Sequence, residues 1–241
     1  MTDNAAELPG VADLSLPGNI AQWLYDRWQP APSERETPER LAHRRLADAV
    51  RHLVAETVAT GADAATLGAA ADTVEGLAAL FSTQPRGALH PFDPDPEVPH
   101  DPHVWSEWSP VMGSSHPLAP PIGLRDAGGY VVGEVTYGTQ FEGPPGCVHG
   151  GFIAAAFDAI LGAAQTLSCL AGVTGTLAVR YRSPAPLGEL LRYEAHVAPR
   201  DGRKLTCTGT LHHGDTLCAD AEAIFVLNQG MLDTLDADPP P

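Results

Sequence analysis

A carboxylate lies in the middle of a strongly apolar segment. Residues 152 to 170 place apolar side chains on every side of a predicted helix, and Asp158 is the only charged group among them. An unpaired charge in apolar surroundings is costly, so such a group is either paired with a backbone donor or an arginine, or used in chemistry. Asp158 is therefore predicted to be buried or to line a cleft, and it is the first candidate for a functional site.

The segment that leads into this helix, GPPGCVHGG, combines a Pro-Pro-Gly turn with two glycines. The first N–H groups of a helix have no partner within it, and the helix dipole is positive there. Because Gly150 and Gly151 have no side chains, a ligand can approach this backbone closely. The helix start is therefore predicted to bind a developing oxyanion.

Charge is distributed unevenly along the chain. The formal net charge of −16 argues against a nucleic-acid partner, which would require a basic face. Six of the 14 basic residues nevertheless fall between positions 180 and 204: Arg180, Arg182, Arg192, Arg200, Arg203 and Lys204. This cluster fits a small ligand with phosphate groups, although a solvated strand face with scattered arginines has the same pattern.

The order of elements predicts an α+β architecture. An acidic, proline-rich arm is expected over residues 1–37, a helical hairpin over 38–83 and a proline-rich connection over 84–121. The strand-length runs YVVGEVTY, TLAVRYRS, LLRYEAHVA, KLTCTGTLHH and LCADAEAIFVL then surround the apolar helix in a domain over 122–228, before a tail over 229–241. A helix that is apolar all round must be buried against such strands.

The N-terminal residues have neither a basic start nor an apolar targeting core, and no uninterrupted apolar run of membrane-spanning length is present. A cytoplasmic protein without a membrane partner is therefore expected. No residue pattern indicates a cofactor or a metal ion, so none is expected.

The motif His149-Gly150-Gly151 followed by Asp158 resembles the motif of hotdog-fold acyl-CoA thioesterases, in the PaaI and THEM4-like branch. The lead-in FEGPPGCVHGG, the upstream SSHPLAPP and the downstream TGTLAVRYRSPAPLGE are also similar to that branch. The resemblance covers roughly residues 110–228. It implies a hotdog fold, in which an antiparallel sheet wraps around one central helix, and the hydrolysis of an acyl-CoA thioester.

The resemblance also implies roles for single residues. Asp158 would be the general base or the nucleophile, the Gly150 N–H would polarise the thioester carbonyl, and Thr174 would position the water. His149 would fix the loop through a hydrogen bond. Some relatives carry an Asn six residues before the motif histidine, where this chain has Gly143. The phosphates of coenzyme A would be bound by basic residues of the cluster, either Arg180 and Arg182 on the strand after the helix or Arg200, Arg203 and Lys204 at the turn PRDGRK, of which the turn group is favoured.

Other functions remain open at this point. A metal hydrolase could use Cys147, His149, Asp158, His212 and His213, but their spacing matches no zinc motif. No G-x-S-x-G sequence supports a serine hydrolase. A hydratase or dehydratase on the same fold would need a histidine near the carboxylate, for which His196 and His212 are candidates. The chain could also be a non-enzymatic acyl-CoA-binding module.

Helix geometry predicts a site shared between two chains. At 1.5 Å of rise per residue, Asp158 lies about 12 Å along the axis from Gly150, whereas a thioester carbon must be within roughly 4 Å of both groups. We therefore expect a homodimer, or a dimer of dimers, in which antiparallel central helices bring Gly150 of one chain to Asp158 of the other.

Overall fold

The computed structural model describes residues 26, 28, 36–84, 106–168, 170 and 172–227. These residues form a six-stranded antiparallel sheet with one helix against it, which confirms the predicted α+β hotdog architecture. In chain order the elements are α1 (Pro38–Ala59), α2 (Ala64–Ser82), β1 (Gly123–Asp126), β2 (Val131–Thr136), α3 (Gly150–Gln165), β3 (Val173–Tyr181), β4 (Leu190–Val197), β5 (Lys204–His213) and β6 (Thr216–Val226). The strand order is β1-β2-β4-β5-β6-β3.

The core lies between α3 and the concave face of the sheet. Alternate residues of β5 point towards the helix, so Leu205, Cys207 and Leu211 are completely buried. Glycines in the strands let the helix approach closely: a Cβ at Gly209 would lie 3.1 Å from Leu161. α3 is therefore positioned by packing rather than by its own polar contacts.

The short strand β1 was not predicted from the sequence. Its four residues include a glycine and an aspartate, which gives no strand-like pattern. A tight hairpin turn nevertheless pairs β1 with β2, because Gly128 and Gly129 both adopt positive φ (89° and 97°). Both of their N–H groups donate to Asp126 Oδ1, at 2.9 and 3.0 Å.

Helix α1 packs on the rest of the chain through arginines. Arg44 Nε donates to Glu107 Oε1 at 2.9 Å, and the Arg51 guanidinium donates to the carbonyl oxygens of Ser114 and His116 at 3.0 and 2.8 Å. Apolar side chains that recur at helical spacing along α1 are mostly exposed: Leu41, Leu46, Leu53, Val54 and Val58. The polar face of α1 is thus its docking face.

Helix α2 makes no buried contact with the described chain, since none of its 19 residues is buried. By length and composition, two helical segments of the described chain could cross a membrane: 64–82 and 150–168. The second is the core helix, mostly buried in the sheet. The first is the exposed helix α2.

The predicted N-terminal arm is described only at Asp26, Trp28, Glu36 and Thr37, and Trp28 is buried in the main core. The remainder of that arm, residues 85–105 of the predicted connection and the C-terminal tail lie outside the described residues.

Candidate active site

A rigid loop leads into α3. The Cys147 N–H donates to the Pro144 carbonyl at 2.9 Å, closing a turn in which Gly146 has a φ of 74°. The loop is then tied to the domain because the His149 N–H donates to Phe141 O at 2.9 Å. At Gly143, a Cβ would lie 2.7 Å from the His149 Cα. The close packing of this loop therefore requires glycine at position 143.

The start of α3 leaves one N–H group open. His149 Nδ1 accepts a hydrogen bond from the Gly151 N–H at 3.0 Å, so the Gly151 donor is already engaged. Among the described residues, no acceptor lies within hydrogen-bond distance of the Gly150 N–H. Of the two glycines proposed for the oxyanion hole, Gly150 is therefore the one with a free donor.

The peptide group that carries this donor is polarised. Its carbonyl, that of His149, accepts from the N–H groups of Phe152 at 3.0 Å and Ile153 at 3.4 Å. Hydrogen bonds accepted at a peptide oxygen strengthen the N–H on the other side of the same peptide. The helix dipole acts in the same direction, so the Gly150 N–H is well suited to stabilise negative charge.

A side chain from β3 holds the next peptide. The Tyr181 hydroxyl donates to the Gly150 carbonyl at 2.7 Å. The ring lies so close that a Cβ at Gly150 would be 3.1 Å from the Tyr181 Cζ. Sequence reasoning missed Tyr181, because nothing in the local pattern indicates that the end of β3 crosses the start of α3.

The structure brings Asp158 and Thr174 together. Thr174 Oγ1 donates to Asp158 Oδ1 at 2.9 Å. A β-bulge between Thr174 and Thr176 shifts the register of β3 against β6, so Thr174 points to the helix side together with Leu177. The bulge at Gly175 is thus the local feature that aims the threonine at the carboxylate.

Of the two environments predicted for Asp158, burial or the lining of a cleft, burial is not found in the single chain, in which this residue is exposed. Asp158 projects from the side of α3 that does not face the sheet, as does Phe152, which is 37% exposed. Beside it, β3 is an edge strand, exposed at seven of its nine positions and hydrogen-bonded only to β6 in the described chain. An open helix side and an open strand edge therefore form one continuous unpartnered face.

The basic residues that are close in sequence lie in two places in the structure, on β3 and at the turn between β4 and β5. Arg180 and Arg182 pair with Asp220, at 3.3 and 2.5 Å, on the sheet side away from α3. The hydrogen bond from Arg182 lowers the pKa of Asp220, so this group is charged at neutral pH. Alternation along β3 separates these arginines from the helix side, where Tyr181 lies.

The other basic residues lie at the opposite end of the sheet. Arg200, Arg203 and Lys204 belong to the exposed turn between β4 and β5. Lys204 aligns with Val226, which in turn aligns with Val173 next to Thr174. The turn is therefore about two strand spacings, roughly 10 Å, from the start of β3. Arg203 also donates to the Leu227 carbonyl, at 3.1 and 3.2 Å.

The residues of the rival sites are dispersed. Within residues 36–84 and 106–227, as far as they are described, no three His, Cys, Asp or Glu side chains are close enough to hold a metal ion. His196 stacks on Tyr130 with ring centroids 5.0 Å apart, next to the β1–β2 turn. His213 is 4.0 Å from Glu189, and its neighbour His212 aligns with Arg192 on β4.

Comparisons with known proteins show which family the chain resembles. A thioesterase superfamily model matches residues 145–220. The acyl-coenzyme A thioesterase THEM4 of Xenopus laevis is 36% identical over 91 residues, which are 37% of this chain and 41% of that protein. THEM4 of Mus musculus is 33% identical over 91 residues, or 37% of this chain and 39% of that protein. The chain thus spans about two fifths of the length of these curated relatives.

One solved structure matches over most of the chain. Protein RHA08564, a thioesterase superfamily protein, is 30% identical with a TM-score of 0.66, and the match covers 82% of this chain and 97% of that one. The strand-rich domain alone cannot supply that share, so the likeness extends into the N-terminal part. From the fold, the helix start and these similarities, the chain belongs to the thioesterase superfamily.

Proposed function

We propose that this protein hydrolyses an acyl-CoA thioester to a free acid and coenzyme A, in sites shared by two copies of the chain. The observation that carries the proposal is the open side of α3, where the Asp158–Thr174 pair is exposed and the half-buried Gly150 at the helix start donates no hydrogen bond from its N–H within the described chain. The similarity to acyl-coenzyme A thioesterases over this same region supports the substrate class.

A second copy completes the site. Along one helix the two functional groups are about 12 Å apart, too far for one carbonyl carbon to reach both. A two-fold axis with antiparallel α3 helices places Gly150 of one copy against Asp158 of the other and creates two identical sites. The unpaired edge of β3 supports the same association, because an exposed strand edge readily pairs with another strand.

The chemistry follows from these positions. The carbonyl oxygen of the thioester accepts from the Gly150 N–H, which stabilises the negative charge of the tetrahedral intermediate. Asp158 of the other copy either removes a proton from the attacking water, oriented with Thr174, and returns it to the departing coenzyme A thiolate, or attacks the carbonyl itself. In the second case the thiolate leaves, and water then hydrolyses the acyl anhydride on Asp158 to release the free acid and restore the carboxylate. Single-turnover hydrolysis in heavy-oxygen water separates the two roles. If Asp158 is the nucleophile, the label enters the Asp158 carboxylate in the first turnover; if Asp158 is the base, the label enters only the product acid.

Coenzyme A phosphates bind, on this proposal, to the turn between β4 and β5. Arg200 and Lys204 are exposed there, at the same end of the sheet as Thr174 and Asp158. The pair Arg180 and Arg182 fits this role less well, because Asp220 neutralises much of its charge on the opposite side of the sheet.

Complementation tests the shared site. Gly150→Val puts a branched side chain into the space of the Tyr181 ring and blocks the oxyanion donor, and Asp158→Asn removes the base while keeping its shape. We expect each variant alone to lose about two orders of magnitude of kcat/KM or more. After subunit exchange, half of the dimers are mixed and one of their two sites is intact, so activity returns to about a quarter of wild type.

Native mass spectrometry controls for exchange, and thermal unfolding controls for folding. Full activity of Asp158→Asn would contradict the mechanism. Exchanged mixtures that recover nothing would place the site within one chain. Reversible addition of water to an enoyl thioester would favour a hydratase, and tight acyl-CoA binding without turnover would favour a binding module.

A further inference from the structure

The two N-terminal helices expose apolar stripes on their surfaces. On α2, Leu67, Val74 and Phe81 recur every seventh residue and are 45%, 43% and 51% exposed. Leu77, 50% exposed, lies between them on the same side of the helix. On α1, Leu46 and Leu53 are also seven residues apart, 40% and 42% exposed. Such a spacing is typical of helices that pack lengthwise against other helices.

The two stripes do not cover each other within one chain. The residues between the helices, from Thr60 to Asp63, include extended backbone at both ends, with ψ angles of 141° and 167°. This connection carries α2 away from α1, and no described residue buries α2. Because a helix of this length gains most of its stability from packing its apolar face, α2 requires a partner.

The two helices carry charges of opposite sign outside their stripes. α2 has Glu75 on the side nearer the stripe, Asp72 on the opposite side of the helix and no basic residue, and neither carboxylate has a cationic partner among the described residues. On α1, Arg45 is exposed beside the apolar stripe and has no carboxylate partner in the described chain. A pair of these helices could therefore match Arg45 with Glu75 along the edge of the apolar contact.

We propose that α2 of one copy packs its apolar stripe against the α1 stripe of a second copy, in a reciprocal exchange of helical arms. Each chain contains both halves of the contact, so two chains cover all four stripes and leave none exposed, as a closed two-fold assembly requires. A lipid surface fits less well, because the acidic helix α2 would approach anionic headgroups without a single basic side chain. The proposal is independent of the hydrolytic activity.

Site-specific photo-crosslinking tests the contact directly. A benzoylphenylalanine at position 77, on the apolar side of α2, is compared with one at position 79, on the opposite side of the helix. The full chain is prepared with and without heavy-nitrogen label, and the two preparations are mixed and exchanged. We expect position 77 to yield a two-chain product whose crosslinked peptide lies in 38–59 of the differently labelled copy, and position 79 to yield little of it.

Charge insertion gives a second, independent measurement. Val74→Glu with Leu77→Glu disrupts the stripe, and Ala65→Glu with Ala79→Glu adds the same charge to the other side of α2. We expect the dissociation constant of the Val74→Glu/Leu77→Glu assembly, measured by sedimentation, to be at least about tenfold higher than that of the wild type. The control pair should differ from the wild type by less than about threefold.

Three results would overturn the arm exchange. The first is that position 77 crosslinks only within its own copy, only to residues 1–35, or to peptides outside 38–59. The second is that both charge variants have equal dissociation constants. The third is that α2 binds phosphatidylcholine–phosphatidylglycerol vesicles and that Leu77→Glu abolishes this binding.

Discussion

Gly150 is held in place from both of its peptide groups. The peptide before it is fixed by the helical hydrogen bonds to the His149 carbonyl, and the peptide after it by the Tyr181 hydroxyl and the His149 ring. An oxyanion donor contributes most when it does not have to reorient during the reaction. Tyr181 is therefore a positioning residue, acting on the substrate through Gly150.

Removing this single hydroxyl should affect turnover more than binding. Tyr181→Phe keeps the ring beside Gly150 and deletes the 2.7 Å hydrogen bond to its carbonyl. We expect kcat to fall about tenfold with KM nearly unchanged, because the misplaced N–H interacts mainly with the transition state. Steady-state kinetics with one acyl-CoA checks this, and Tyr130→Phe serves as a matched control far from the helix start. An unchanged kcat in Tyr181→Phe would show that the helix start needs no such support.

At the scale of single elements, α1 is attached by charge. Glu107 is buried and receives Arg44 Nε at 2.9 Å and Ser115 Oγ at 2.7 Å, with Arg40 Nε 3.5 Å away. A buried carboxylate is costly to leave without its cationic partners. The position of Glu107 and the docking of α1 therefore stabilise each other. The arginine face of α1 is fixed to its own chain by hydrogen bonds, whereas its apolar face stays exposed and can contact another partner.

Neutralising the buried carboxylate should release α1. Glu107→Gln keeps the shape and leaves the arginines without their counter-charge, so we expect a loss of about 2 kcal/mol in the free energy of unfolding. Hydrogen exchange should show faster exchange in α1 than in the sheet. Glu56→Gln, an exposed change on the same helix, is the control and should be nearly neutral. Equal exchange in α1 of both variants would mean that apolar packing holds this helix.

The elements near the site were more predictable than their surroundings. Five strands and the apolar helix follow from alternation and from the length of the apolar run, and the GG pair marks the start of α3. The docking face of α1 could not be predicted, because an apolar stripe indicates that a helix packs but not what it packs on. The exposure of Asp158 in the single chain could not be predicted for the same reason, since apolar surroundings in sequence do not identify which chain covers the carboxylate.

Over the whole molecule, the two ends of β3 have different functions. Tyr181 at one end contacts the oxyanion donor, and Thr174 at the other contacts the carboxylate. Position 181 is seven residues after position 174, roughly 20 Å along the strand. In a second copy with the antiparallel orientation, the Tyr181 end of one strand therefore lies beside the Thr174 end of the other. The basic turn between β4 and β5 belongs to the carboxylate end. The sequence separates this turn from Arg180 and Arg182 along the chain, but the distance of each set from the carboxylate depends on the strand order, which is not a local property.

This arrangement predicts where the charge of the substrate is recognised. The protein has a formal net charge of −16, so its overall field repels the phosphates of acyl-CoA and local cations must overcome that repulsion. Arg200→Ala with Lys204→Ala should raise KM about tenfold and leave kcat within about twofold, because these groups bind phosphate equally in the ground and transition states. Arg180→Ala with Arg182→Ala removes the same two charges from the other side of the sheet and should raise KM much less. Added salt should raise the wild-type KM and have a weaker effect on the turn variant. Equal increases in KM for the two charge-matched variants would show that only total charge matters, and would remove the phosphate site from this turn.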